Sequence, residues 1–258
     1  MSTPADRSGP DEPEDGGWHE PAHPGSGADP TTPGGPLLPT EQGPPRRRGG
    51  GWYWRPRGDV AEVFTYQGDL VGAQGWALQH GWSISDGTGR QDAVLADLVA
   101  SAPVRASGEH RPAGVLRGRA GNLELVAFDV VYPLRGRWLA QWAVTAAPLL
   151  AAVPAFRLSP ARLWKHRTAG MSPLISGNEA FDARWLLLAT EDAPELRRLV
   201  QDQAVQGLLL GSDDGDEFWS GAGHLAAIRP DGHRPSLIEH HARLLTAAVG
   251  ALTGGYQD

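Results

Sequence analysis

The sequence predicts an α+β fold, in which an antiparallel β-sheet (a meander) is covered by helices from both ends of the domain and preceded by a disordered N-terminal tail. Two observations predict this fold. Residues 1–50 hold 11 of the chain's 22 prolines and 10 of its 34 glycines, so this part cannot pack a core. In the remainder, segments with the helical period flank a series of extended apolar segments.

The tail is acidic as well as rich in proline and glycine, since its first 45 residues carry eight acids and one base. So few apolar side chains cannot offset the roughly 1 to 2 kcal/mol of backbone entropy that each ordered residue costs. We therefore expect residues 1–50 to be a disordered acidic tail with a basic linker and residues 51–253 to be a single α+β domain. Residues 46–258 contain 22 acids and 22 bases, so no nucleic-acid partner is expected.

The first elements of the domain alternate between helix and strand. Residues 70–79 read as a short helix that leads into a strand at 81–85. In residues 92–100 the apolar side chains Val94, Leu95, Leu98 and Val99 fall on one helical stripe, and Pro103 closes this second helix.

Extended segments follow, separated by turn residues. They are predicted at residues 115–119, 123–132, 137–145, 149–158 and 184–190. Gly121-Asn122, residues 133–136 and Pro148 break the first four into an antiparallel meander.

The stretch from Trp138 to Phe156 has no charged residue, but it is not predicted to span a membrane. Pro148 and Pro154 each remove a backbone donor, and the many alanines keep the mean hydropathy modest. The stretch is better interpreted as two strands that are buried on both faces and meet near Pro148.

Two helices are predicted near the C-terminus. The first follows Asp192, which would cap it, with Pro194 in its first turn. The second begins with a capping box from Ser236 to Glu239 and carries an apolar stripe that ends at Gly254-Gly255.

The chain contains no cysteine, which excludes disulfides, thiolate metal sites and cysteine nucleophiles. The N-terminal sequence MSTPADRSG lacks the basic start and apolar run of a secretory signal. We therefore expect a cytoplasmic protein.

Four segments carry a resemblance to a known family: HGWSIS (80–85), GNLELVAFDVVY (121–132), AFRLSP (155–160) and SGNEAFDARWLL (176–187). Their order and spacing resemble those of a family of uncharacterised actinobacterial proteins. The resemblance spans most of residues 66–250 and implies a shared fold. It implies no activity, because none is established for that family.

Two local patterns suggest metal sites but favour other interpretations. Residues 19–23 match H-E-x-x-H, yet Pro21 and Pro24 in a disordered tail prevent the two histidines from sharing a helix face. Asp213, Asp214, Asp216 and Glu217 cluster around Gly215, but their spacing is not that of an EF-hand. We interpret this cluster as a solvated acidic turn, and we expect no metal and no cofactor.

Three further residues are weighed as catalytic groups. His241 lies on the apolar stripe of the last helix, beside His240, and is expected to be a packed or hydrogen-bonded core histidine, with a general base as the alternative. Asp129 and Asp182 each follow a phenylalanine and would form an acid and base pair if the fold brought them together. Asp129 is otherwise a partly buried, hydrogen-bonded acid that serves stability.

The strongest candidate for an interaction surface is the hinge between tail and domain. Its residues are Arg46, Arg47, Arg48, Trp52, Tyr53, Trp54 and Arg55, followed by Arg57. Arginine attracts phosphate or anionic headgroups, and Trp and Tyr suit a membrane interface. Alternatively, the arginines fold back on the acidic tail and the tryptophans pack in the domain.

No motif in residues 51–253 has the residue types and spacing of a known catalytic site. The first hypothesis is therefore a non-catalytic domain that binds a protein partner or small ligand. The alternatives are a hydrolase-like enzyme whose acids, including Asp129 and Asp182, assemble in the fold, and a peripheral membrane protein attached through the hinge.

Overall fold

The computed structural model describes residues 68–161 and 170–254. Within this part, nine strands form one antiparallel sheet in the order β1-β2-β3-β4-β9-β8-β5-β7-β6. The strands are β1 (Ser83–Ser85), β2 (Arg111–Ala120), β3 (Leu123–Leu134), β4 (Arg137–Pro148), β5 (Phe156–Pro160), β6 (Ser172–Leu174), β7 (Trp185–Ala189), β8 (Glu217–Gly221) and β9 (His224–Pro230). The predicted α+β class and the meander of β2, β3 and β4 are confirmed.

Helices lie on both faces of this sheet. They are α1 (Leu70–Gln79), α2 (Ala93–Ala100), α3 (Glu179–Asp182), α4 (Pro194–Gln201), α5 (Gln203–Leu210) and α6 (Pro235–Thr253). Side chains of α1, α4, α5 and α6 share a core with Leu125 and Ala127 of β3. The intervening residues Val126 and Phe128 share a second core with α2. The alternation along β3 therefore separates an α6 face from an α2 face of the sheet.

The sheet consists of two halves that are each contiguous in sequence. Strands β1 to β4 make one half, strands β5 to β9 make the other, and the pairing of β4 with β9 joins them. The connection from β4 to β5 therefore passes the ends of β9 and β8 rather than forming a hairpin.

That connection corrects the prediction of a strand at residues 149–158, because only Phe156 onward is extended in a strand. Residues 149–155 form a loop in which Leu150 is 95% exposed. The prediction that β4 is buried on both faces is also wrong in its first half, where Trp138 is 47% and Leu139 45% exposed. Burial begins where β9 joins β4, at the pairing of Trp142 with Pro230.

Two of the predicted helix caps are also wrong. Asp192 does not cap α4; the N-cap is Ala193, and Asp192 forms an ion pair with Arg197. Ser236 lies inside the first turn of α6, which begins at Pro235. The predicted end of α6 is confirmed, since Gly254 adopts the left-handed conformation at φ 79° that terminates helices.

Among the described residues, no helix combines the length and apolar character needed to cross a bilayer. The start of the domain at residue 51 stays a prediction, because residues 51–67 lie outside the described part. The proposed disorder of the tail lies outside it as well.

Candidate functional site

Among the described residues, the largest group of buried polar side chains lies between the sheet and α6. Its members are each at most 5% exposed, and we call them the polar network: Asp129, Thr145, Asp216, Arg229, His233, His240 and His241. They come from β3, β4, β9, the residue before β8, the loop after β9, and α6.

Strand register explains why these residues meet. Asp129 pairs with Ala143, and Ala143 pairs with Arg229, so Asp129 and Arg229 lie in one row across three strands. Thr145 lies in the next row, paired with Ala127 on the α6 face. Because cross-strand partners point to the same face, the register directs all three polar side chains towards α6.

Hydrogen bonds connect one end of the network to the other. A single oxygen of Asp129 accepts from the backbone N–H and from Nδ1 of His233, both at 2.8 Å. The Thr145 hydroxyl lies 3.2 Å from Nε2 of His233 and 2.9 Å from Nδ1 of His241. Nε2 of His241 lies 3.1 Å from Asp216 Oδ1. The sheet and α6 are thus linked through an uninterrupted polar path.

Asp216 is the most heavily bonded member of the network. Its Oδ1 also accepts from Nε of Arg229 at 2.7 Å, and its Oδ2 is 3.1 Å from Nε2 of His240. Arg229 in turn donates to both oxygens of Asp213. The adjacent histidines therefore contact the two oxygens of one carboxylate.

The surroundings determine the charges in the network. Burial raises the pKa of Asp216, but the charge of Arg229 and hydrogen bonds from the two histidines outweigh it and hold that pKa well below its usual value. Burial lowers the pKa of Arg229, but Asp216 and Asp213 together raise it further than burial lowers it. Burial also lowers the pKa of His241 from 6.5 to about 4. At neutral pH the network therefore holds a charged Asp216–Arg229 pair beside a neutral His241.

The hydrogen-bond chain also determines where protons lie. Carboxylates only accept, so Nδ1 of His233 and Nε2 of His241 each carry a hydrogen. When both rings are neutral, their other nitrogens are acceptors, and both face the Thr145 hydroxyl. That hydroxyl has one hydrogen, and the shorter contact is the one to His241. With His241 neutral, the Thr145 hydroxyl therefore donates to Nδ1 of His241.

The structure corrects the interpretation of residues 213–217 as a solvated acidic turn, because each of the four acids forms a salt bridge. Asp213 and Asp216 pair with Arg229, Asp214 pairs with Arg184, and Glu217 pairs with Arg157. The sequence signal was the equal number of acids and bases in the domain. Sequence alone did not show which arginines, 13 to 60 residues away, would be the partners.

His241 is buried and hydrogen-bonded, as predicted. The residues that sequence reasoning missed are His233, Thr145 and Arg229, which carry no local motif. Within residues 68–161 and 170–254, no group of three or more His, Asp or Glu side chains has a geometry that could hold a metal ion.

Asp129 and Asp182 do not form a pair. Asp129 belongs to the polar network, whereas Asp182 accepts hydrogen bonds from the backbone of Ser176 and Gly177 beside α3. Asp129 lies on the third strand of the sheet, whereas Asp182 is the last residue of α3, which precedes β7 near the opposite edge. The acid pair required by the hydrolase hypothesis is not assembled.

The hinge residues Arg46, Arg47, Arg48, Trp52, Tyr53, Trp54 and Arg55 lie outside the described residues, as does the H-E-x-x-H pattern at 19–23. Their roles stay predictions.

An open cleft of about 400 Å³ lies at the end of β4 where β4 joins the loop of residues 149–155. The loop forms one wall and the turn between β8 and β9 forms the other. Among its lining residues the polar side chains are Ser220 and His224, and Ser220 already bonds the backbone of Phe156. The lining contains no carboxylate, so the cleft suits an apolar ligand or segment.

No protein-family model matches the chain, and no curated protein matches its sequence. Among solved structures, the chain is similar to the crystal structure of the mycobacterial trehalose monomycolate transport factor A, TtfA. The TM-score is 0.50 and the sequence identity is 15%, over 71% of this chain and 93% of the TtfA chain. At this identity the similarity shows the fold alone. The resemblance to actinobacterial proteins stays a prediction.

Proposed function

We propose that this chain is a non-catalytic, transport-associated binding domain that takes an apolar ligand or an apolar segment of a partner in the cleft beside residues 149–155. The observation that carries this proposal is that the polar side chains of the network are buried, while the cleft is open to solvent. The buried side chains include the acids and imidazoles of the network, whereas the cleft is lined mainly by apolar side chains, with Ser220 and His224 as its polar ones.

Burial of the network argues for a structural role. A general acid or base must come within hydrogen-bond reach of a substrate, and each network member is at most 5% exposed. Its donors and acceptors are directed at one another. A buried set of polar groups satisfied in this way specifies the packing of α6 on the sheet.

The structural neighbour supports the same class of function. TtfA is described as a transport factor. We extend only that class to this chain and infer neither the cargo nor the partners of TtfA. We further propose that the acidic tail and hinge extend the reach of the domain, and that the protein is cytoplasmic.

Binding of a fluorescent apolar probe tests the proposal. The full chain is titrated with dansylated undecanoic acid, beside an Ala152→Trp variant that fills the cleft. Ala204→Trp is the matched control, because Ala204 lines a different cleft that is formed by α4, α5 and α6.

We expect saturable binding that weakens at least tenfold in Ala152→Trp and is unchanged in Ala204→Trp. Equal affinity of both variants would place the probe elsewhere and refute the cleft as the site. Failure of the full chain to bind the probe would refute an apolar ligand.

A further inference from the structure

The hairpin of β3 and β4 extends beyond its neighbours in the sheet. β2 pairs with β3 only as far as Val131, and β9 pairs with β4 only as far as Trp142. Within the described part of the chain, residues 132–139 therefore pair as strands only with each other. We call this segment the ribbon.

The ribbon carries exposed apolar side chains on both of its faces. Leu134 and Leu139 are 49% and 45% exposed, and Trp138 is 47% exposed. Tyr132 pairs with Leu139 and Pro133 pairs with Trp138, so the leucines lie on one face and Trp138 lies on the other. A docking groove or a second sheet would cover one face only, whereas an apolar medium that surrounds the tip would cover both.

The ribbon is also cationic. Arg135 and Arg137 lie at its tip, and the guanidinium of Arg111 stacks on the Trp138 ring at 3.5 Å. Within the described residues none of these three arginines forms a salt bridge. The sequence has no acid between Asp129 and Glu179, and the nearby Glu109 is hydrogen-bonded to Tyr132 at the base of the ribbon.

The turn holds Arg135 in a conformation that arginine rarely adopts. Arg135 and Gly136 have φ values of 49° and 77°, which is the two-residue turn that favours Asn-Gly. A strained backbone that presents a cation at the tip of an exposed hairpin is typical of a functional position.

We propose that the ribbon docks the domain on an anionic phospholipid surface. Trp138 and the two leucines would enter the interface between headgroups and acyl chains, and Arg111, Arg135 and Arg137 would contact the phosphates. The apolar area that three half-exposed side chains offer is far smaller than the roughly 800 Å² that each partner buries in a stable protein interface. This small area favours shallow insertion into a membrane over binding of a second copy of the chain. The ribbon and the cleft lie at opposite ends of β4, so this proposal goes beyond the proposed function and the two fail independently.

Vesicle sedimentation tests the charge requirement. The full chain is mixed with phosphatidylcholine vesicles containing 30 mol% phosphatidylglycerol and with vesicles of phosphatidylcholine alone. Two double variants are compared. The ribbon pair is Arg135→Glu with Arg137→Glu, and the control pair is Arg90→Glu with Arg243→Glu, which makes the same change in net charge at exposed positions outside the ribbon. Each arginine at an anionic surface contributes about fivefold, so we expect the ribbon pair to weaken partitioning at least about 20-fold.

A labelling experiment tests insertion, because the chain has no cysteine of its own. Leu139→Cys carrying an NBD group should shift to the blue on anionic vesicles, and the same label at Ile175→Cys, which is 67% exposed elsewhere, should not. These two results with the charge result would establish the proposal.

Three outcomes would overturn it. The first is no partitioning of the full chain, or equal loss in both arginine pairs. The second is partitioning that is lost in Arg46→Ala with Arg47→Ala and Arg48→Ala but retained in the ribbon variants, which would assign binding to the hinge. The third is an unshifted Leu139 label together with a dimer, seen by light scattering, that Trp138→Ser dissociates.

Discussion

Because of His241, the folded domain should lose stability when the pH falls below about 6.5, which is above the range in which carboxylates usually titrate. Its pKa is 6.5 in an unfolded chain and about 4 in the fold, so the unfolded state binds more protons below pH 6.5. The stability contributed by the neutral ring is therefore present above pH 6.5 and is lost as pH falls towards 4. The shift corresponds to about 3 kcal/mol in full, of which about 2 kcal/mol is lost between pH 7 and pH 5.

The perturbation that isolates this effect is His241→Gln, which removes the titrating ring and keeps a polar side chain. At pH 7 the variant should be about 1 to 3 kcal/mol less stable, because Thr145 and Asp216 lose a partner. At pH 5 the difference in unfolding free energy from wild type should shrink by about 2 kcal/mol. Only the wild type has the imidazole whose protonation favours the unfolded state.

Urea unfolding at pH 7, 6 and 5, followed by tryptophan fluorescence, measures these free energies. His224→Gln is the control, because His224 lies outside the polar network and bonds only the carbonyl of Ala222 among its described contacts. Wild type and His224→Gln should show the same pH dependence. A His241→Gln curve parallel to that of wild type would show that the ring does not stay neutral in the fold.

Three more predictions follow from the same structure. Asp216→Asn should cost about 3 to 5 kcal/mol in urea unfolding at pH 7, because it leaves the buried Arg229 charge without its main partner; a cost below 1 kcal/mol would mean that the pair is not buried. Thr145→Val should cost about 1 to 3 kcal/mol and Thr145→Ser clearly less, and equal costs would show that the hydroxyl does not bridge the two histidines. Gly118→Ala should cost about 1 to 3 kcal/mol and alter the near-UV signal of Trp82, because the added methyl would lie 2.2 Å from that ring; an unchanged signal would place the indole elsewhere.

Sequence patterns predicted the elements whose signals are local. The bounds of α1 agree with the predicted residues 70–79, and α2, β3 and the end of α6 were found within one to three residues. In each case the period of the apolar residues and a nearby turn or glycine determine the element, so no distant contact is needed.

The predictions that were wrong concern contacts between residues that are distant in sequence. Residues 149–158 read as a strand because they are apolar, but the strand order sends residues 149–155 past the ends of β9 and β8. Asp216 was interpreted as solvated because its neighbours in sequence are polar, whereas Arg229 and α6 bury it. Neither outcome follows from local composition, because strand order and register decide both.

The joining of the sheet's two halves through β4 and β9 has a consequence for how the chain is made. During synthesis the first four strands leave the ribosome about 80 residues before β9 does, so the twelve-residue edge of β4 has no partner over that interval. An unpaired strand of this length is a template for intermolecular pairing. Aggregation of nascent or truncated chains should therefore be most severe for those that end before residue 224, and it should fall sharply once β9 has been added. Among the described residues, the first and last strands of the finished sheet are the three-residue strands β1 and β6.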